Sequence, residues 1–372
     1  MTITSALLIG SAATLIPSAF LSSPCYSCGN RSNTINAPIF AGLVVFMASS
    51  LGLLIEYATT HSGRYCFERR NRYFKIFIPG LLNSIGTLLQ LGALIFIPAA
   101  VLAGLRGVFI AGTAVASSYL RLRDAPVGRQ EWAAVISSAL GAIAVGAASA
   151  LAAQYFPSSA SSSEGSTTAS FNSISILFGL LLSVAGYLIA TGQVIFEQLS
   201  LDVEAFSRWE ILGIEGIVGT AITSVILLAL SFFQTNDKVD QFIEYPPQTI
   251  CCLTKSISPS LLLIAYGASS LTFNALLLIV ASTNGPNARV FVFVVRGVLT
   301  WVIEIILSYA GSPGGVGRGS VLTPFAALEA FGWVLLITGG IVRSMLQNAR
   351  EAKQADEVIE TDEKEASLLL SK

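Results

Sequence analysis

Ten stretches of mostly apolar residues follow one another along this chain, at 3–21, 38–57, 76–97, 99–119, 133–153, 174–196, 211–233, 259–281, 289–309 and 325–347. A helix of about 20 such residues crosses the hydrocarbon core of a bilayer. Backbone polar groups in lipid must be satisfied within the segment, so apolar stretches of this length are read as helices. The predicted fold class is therefore all-α: a polytopic membrane protein with ten transmembrane helices, and the lipid bilayer as its first partner. Composition agrees. Of 372 residues, 53% are hydrophobic and 12% charged, whereas a water-exposed globule carries about 25% charged residues. The opening stretch lacks a positively charged leader and further spans follow it, so it reads as a first membrane helix rather than a signal peptide.

Several functions are excluded at this stage. A net charge of −1 does not fit a basic nucleic-acid binder. The one histidine, His61, and five scattered cysteines leave no metal cluster and no Cys/His nucleophile pair. The glycine-dense segment Gly311–Gly319 follows no strand and lacks the dinucleotide-binding spacing. No cofactor is expected. The spans hold no paired aspartates, histidine-containing metal motif or Ser/His pair, so an enzyme is not expected either.

The serine-rich tract Pro157–Ser170 has too little apolar surface to order itself and sits midway along the chain. It divides the sequence into a first five-helix unit (1–153), a lumenal linker (154–173), a second five-helix unit (174–347) and an acidic cytoplasmic tail (348–372), expected to be disordered. Arg106-Gly107-Val108 recurs as Arg296-Gly297-Val298, 190 residues on, and Ser118-Tyr119 recurs as Ser308-Tyr309. A one-residue slip aligns Asn83 with Asn274 and Gly141 with Gly332. Five helices per unit would place the two copies in opposite orientations, the arrangement of inverted-repeat transporters. With both termini cytoplasmic, fifteen Lys and Arg residues fall in inside segments and four in outside ones, as the positive-inside rule requires.

Charges inside membrane helices cost a few kcal/mol each and face a cavity or a partner. Arg106, Glu215, Arg296, Glu304 and Glu329 lie within spans, with Glu56 and Glu197 nearer the ends. The forked donors of Arg106 and Arg296 suit a carboxylate or phosphate; the alternative is an internal ion pair with Glu215 or Glu304 that fixes packing. Glu215 is open to two roles, a proton-exchanging site or an arginine's structural partner. Gly213, Gly216, Gly219 and Gly297 allow close helix approach.

Arg-Gly in the fourth and ninth helices and Glu215-Gly216 opening the seventh resemble the drug/metabolite transporter superfamily. Pro79, Asn83, Gly86 and Thr87, Gln193 with Glu197, and Asn274 with Arg289 and Arg296 extend the resemblance from about Pro38 to Arg343. Within the superfamily the chain looks most like the F branch of solute carrier family 35, related to chloroquine-resistance-type transporters. The resemblance implies a central cavity lined by helices three, four, eight and nine, and alternating access without ATP. It also implies functional roles for Arg106, Glu215, Asn274 and Arg296. The chain departs from the pattern at Asn83 and near Ser49, where relatives carry acidic residues, and near Ala103, where they carry glutamine.

The expected function is a secondary carrier for a small organic solute, such as a nucleotide sugar, phosphate ester, amino acid or peptide. The candidate substrate-binding or gating residues are Arg106, Arg296, Glu215, Asn83, Asn274, Gln193 and Glu304. The alternative is a non-transporting scaffold or receptor that keeps the carrier fold. The topology places Cys25, Cys28, Cys251 and Cys252 on the lumenal side and Cys66 in a cytoplasmic loop. An even lumenal set points to disulfides between the first lumenal loop and the Lys238–Ser258 connection; the alternative is four free thiols. In the tail, Glu365 precedes Leu369-Leu370 in the manner of a dileucine sorting signal. That motif implies an adaptor partner and an address in lysosome, vacuole or endosome, with the Golgi as rival.

Overall fold

The computed structural model describes residues 2–25, 35–59, 70–119, 128–155, 173–204, 207–232, 244, 246–284, 286–309, 324–346 and 349. Among the described residues the regular secondary structure is helical: α1 (Thr2–Leu21), α2 (Pro38–Thr59), α3 (Arg70–Ala93), α4 (Ala99–Gly104), α5 (Arg106–Tyr119) and α6 (Arg129–Tyr155). The second half holds α7 (Ser173–Glu204), α8 (Arg208–Phe232), α9 (Pro246–Lys255), α10 (Ile257–Asn284) and α11 (Pro286–Tyr309). The last helix is α12 (Ala326–Leu346).

Among the described residues, eight helical segments are long and apolar enough to cross a membrane, compatible with a multi-pass integral membrane protein. Their outward faces carry bare apolar side chains such as Leu54, Ile143, Leu181, Val225 and Ile264, which water would not tolerate as one continuous surface. The sequence leads to ten spans, and the two beyond these eight, 76–97 and 289–309, fall on α3 and α11. In α3 the described apolar stretch is Phe77–Ala93, and the helix opens on the basic run Arg70–Lys75. α11 runs for 24 residues from Pro286 but is not one of the eight. The expected span at 99–119 is two helices meeting at Leu105, whose N–H donates to the Val101 carbonyl while its own carbonyl accepts from Val108. The short α9 was not foreseen at all.

α2 packs most extensively on α8, α3 on α7, and α1 on α10; α3 also meets α8, α10 meets α2, and α11 lies against α1 and α4. The α2–α8 contact follows from a glycine stripe. A β-carbon on Gly213 would strike Leu53, one on Gly216 the backbone at Ser49 and Ser50, and one on Gly219 the Phe46 ring. Between α6 and α12, Gly141 and Gly332 face each other, and a β-carbon on either would sit within 3.0 Å of the other's carbonyl oxygen. Where apolar burial drives little association, such small-residue seams let helix backbones meet and gain dispersion contacts.

Two helix starts are held by carboxylates from far along the chain. α2 opens on Pro38, and α4 follows Pro98. Proline begins a helix well but leaves the next N–H groups without intrahelical acceptors. At α2, Ile39 donates to Glu244 Oε2 at 2.7 Å and Phe40 to Oε1 at 3.1 Å. At α4, Ala99 and Ala100 donate to the two oxygens of Glu304 at 3.1 and 3.0 Å. A disulfide joins Cys25, just past α1, to Cys252 in α9, with Cα atoms 5.7 Å apart, so the α8–α10 connection is fastened to the ends of both α1 and α2. Cys251 is disulfide-bonded as well, while Cys28 and Cys66 lie outside the described residues. The serine-rich linker and the tail with Glu365, Leu369 and Leu370 also lie outside them.

Candidate functional site

A cavity of about 220 Å³ is lined by residues of both halves. Five of the sequence-selected residues line it: Arg106, Arg296, Asn83, Asn274 and Gln193. Glu215 lies behind that wall and Glu304 is elsewhere. The remaining lining mixes aliphatic side chains such as Val45, Leu91 and Leu102 with hydroxyl and aromatic ones, including Ser49, Thr87, Tyr187, Tyr266 and Phe273. Among the described lining residues none is acidic.

Arg106 reaches the cavity from the first turn of α5. Its Nε donates to the Tyr187 hydroxyl at 3.3 Å, and that hydroxyl donates onward to the Leu102 carbonyl at 2.7 Å. The guanidinium carbon stands 4.9 Å from the centre of the Phe293 ring, within cation–π range. Arg296, on α11 and 4% exposed, lies 4.2 Å from the Phe273 ring centre and 5.5 Å from that of Phe293. Nη1 of Arg106 and Nε of Arg296 are buried without a hydrogen-bond acceptor. Aromatic faces soften the cost of burying these cations but supply no counter-charge.

Glu215 is 3% exposed and its Oε2 accepts from Asn83 Nδ2 at 3.0 Å and from Gln193 Nε2 at 3.4 Å. Gln193 also donates to Glu197 Oε1, and Thr87 donates to Asn83 Oδ1 at 3.2 Å. The carboxylate thus orients two amides at the cavity wall. Glu304 spends both oxygens on the start of α4.

Sequence reasoning missed the rings. Phe273, Phe293 and Tyr187 set the arginines in place, yet in a chain with 21 Phe nothing local distinguishes a cavity ring from a lipid-facing one. It also missed Glu244, whose one signal is an acid close before Pro246, and the burial of Arg343. Assigned by sequence to the cytoplasmic end of the last span, Arg343 is 6% exposed and donates to the Ile110 carbonyl at 2.6 Å. Among the described residues no group of His, Cys, Asp and Glu could hold a metal ion.

No family model and no curated protein matches the chain. A solved structure described only as a crystal structure of a protein aligns with 92% of this chain and 99% of its own, at 14% identity and a TM-score of 0.47.

Proposed function

We propose that the chain is a secondary carrier of the drug/metabolite transporter type, which moves a small organic anion by alternating access without ATP. The observation that carries this reading is the cavity wall: two arginines and no carboxylate among the described lining residues. A buried Arg296 and a part-buried Arg106 without a protein counter-charge are costly, and an anionic occupant removes that cost. The amides of Asn83, Asn274 and Gln193 add directional hydrogen bonds without adding charge.

The helix pairings support ten spans in two inverted repeats, with α4 and α5 as one span, α3 and α11 as two more, and α9 outside the count. Exchanging the halves maps α2–α8 onto itself, α3–α7 onto α10–α1, α3–α8 onto α10–α2, and α5–α7 onto α11–α1; both members of each pair are present. Arg106 and Arg296, like Asn83 and Asn274, line one cavity, and Gly141 meets Gly332. Such repeats can trade conformations, opening the same site to either side in turn.

The basic-residue asymmetry supports cytoplasmic termini, and the disulfides support a lumen that is oxidising. The tail motif supports an acidic endomembrane compartment. Replacing Leu369 and Leu370 with Ala in a tagged chain is expected to send it to the cell surface; an unmoved variant would remove that address. For transport itself, purified protein in liposomes is expected to take up labelled organic anions saturably and to ignore matched neutral and cationic compounds. Lack of saturable uptake across an anion pool would favour a non-transporting scaffold.

A further inference from the structure

The cavity carries two cations, and their placement constrains the solute beyond its sign. Arg106 and Arg296 come from different helices in different halves, and both guanidinium carbons lie within 5.5 Å of the Phe293 ring centre. Each also has its own anchor: the Tyr187 hydroxyl for Arg106 and the Phe273 ring for Arg296. The anchors hold the two forks at two positions around one phenyl ring. Each fork keeps a buried N–H without an acceptor.

Arg296 is 4% exposed, and like charges set away from bulk water repel more strongly than in it. A solute with one negative charge would leave one of these cations uncompensated. A solute with two would neutralise the wall and satisfy both forks. Because the forks have separate anchors and a shared apolar ring, the matching solute has two acidic groups with an apolar or planar section between them.

We propose that the carrier's solute is a dianion with two separated acidic groups of the dicarboxylate type, one on Arg106 and the other on Arg296, with Phe293 against the section joining them. This rests on the anion-carrier reading above and narrows it.

The test is binding and uptake by the full-length protein with a defined panel. The panel holds straight-chain dicarboxylates of four to eight carbons, terephthalate, the monocarboxylates hexanoate and benzoate, and phenyl phosphate, which bears its charge on one group. At least one dicarboxylate is expected to bind tenfold or more tighter than its monocarboxylate analogue and to be taken up. In Arg106→Gln that preference should fall to about equal affinity. Monocarboxylates binding as well as every dicarboxylate would overturn the dianion and leave the anion carrier standing. Phenyl phosphate binding while every dicarboxylate fails would overturn the two-group form. Indifference to every anion in the panel would overturn this proposal, and absence of saturable uptake in the broader anion pool would sink the carrier reading separately. The wild-type panel decides these points even where a variant fails to fold.

Discussion

Arg106 points its guanidinium at the face of Phe293, 4.9 Å from the ring centre, and the same ring lies 5.5 Å from Arg296. A phenyl face attracts a cation by its quadrupole and cannot accept the fork's in-plane N–H groups, so those donors stay available for a planar oxyanion. Lysine keeps the charge but has no fork. Replacing either arginine with Lys is expected to raise the KM for the transported anion roughly tenfold, the effect of losing one charge-assisted hydrogen bond of about 1.5 kcal/mol. Uptake kinetics in liposomes check this. Unchanged KM in both Lys variants would assign the arginines to packing.

Glu304 gives the opposite expectation. Its carboxylate caps the start of α4 and does not line the cavity. Glu304→Gln should lower thermal stability, by about 1 kcal/mol for the lost interaction with the positive helix end, and leave the KM of the surviving protein unchanged. A KM shift matching that of the arginine variants would place Glu304 in solute handling.

The Cys25–Cys252 disulfide closes a sequence separation of 227 residues. Removing such a cross-link generally costs about 2–4 kcal/mol, so Cys25→Ser and Cys252→Ser should each lower the melting temperature. A digest without reductant should yield one cross-linked peptide pair holding both cysteines. Full alkylation of both without reductant would contradict the bond.

Glu244 sits outside the spans, buried at the start of α2. Burial pushes its carboxyl from 4.5 up to about 8, with the Ile39 and Phe40 N–H groups pulling the other way. Since the folded-state value is the higher one, the folded chain binds more protons than the unfolded chain between those limits. Stability is therefore fullest below pH 4.5 and falls as pH rises towards 8. Melting curves at pH 5, 6.5 and 8 should show that decline on account of this group, and Glu244→Gln should flatten it. An identical slope in wild type and variant would count against the contribution of Glu244.

The fold was legible wherever composition alone decides, and it blurred where a partner decides. Long apolar runs such as Arg208–Phe232 declare themselves because lipid imposes one solution on them. The break at Leu105 is harder to read, since Gly104 and Gly107 beside it are only two of the 32 glycines in the chain. At the site, Arg106 and Arg296 stand out because a charge in a span is rare. Their environment does not stand out, because Phe293 and Tyr187 become cavity residues only once α11 and α7 are placed. Glu304 shows the limit most clearly. By sequence it is one more intramembrane acid, and only the distant Pro98 helix start, brought to it by the α4–α11 contact, gives it a structural partner.

Counterflow in proteoliposomes tests the central claim most directly. Vesicles containing the wild-type protein and loaded with an unlabelled organic anion are diluted into a trace of the same anion, labelled. The account predicts transient accumulation of label above equilibrium, with no ATP, and its loss when Arg106 and Arg296 are both replaced with Gln. No accumulation with any organic anion, from protein that is folded and disulfide-bonded, would contradict it.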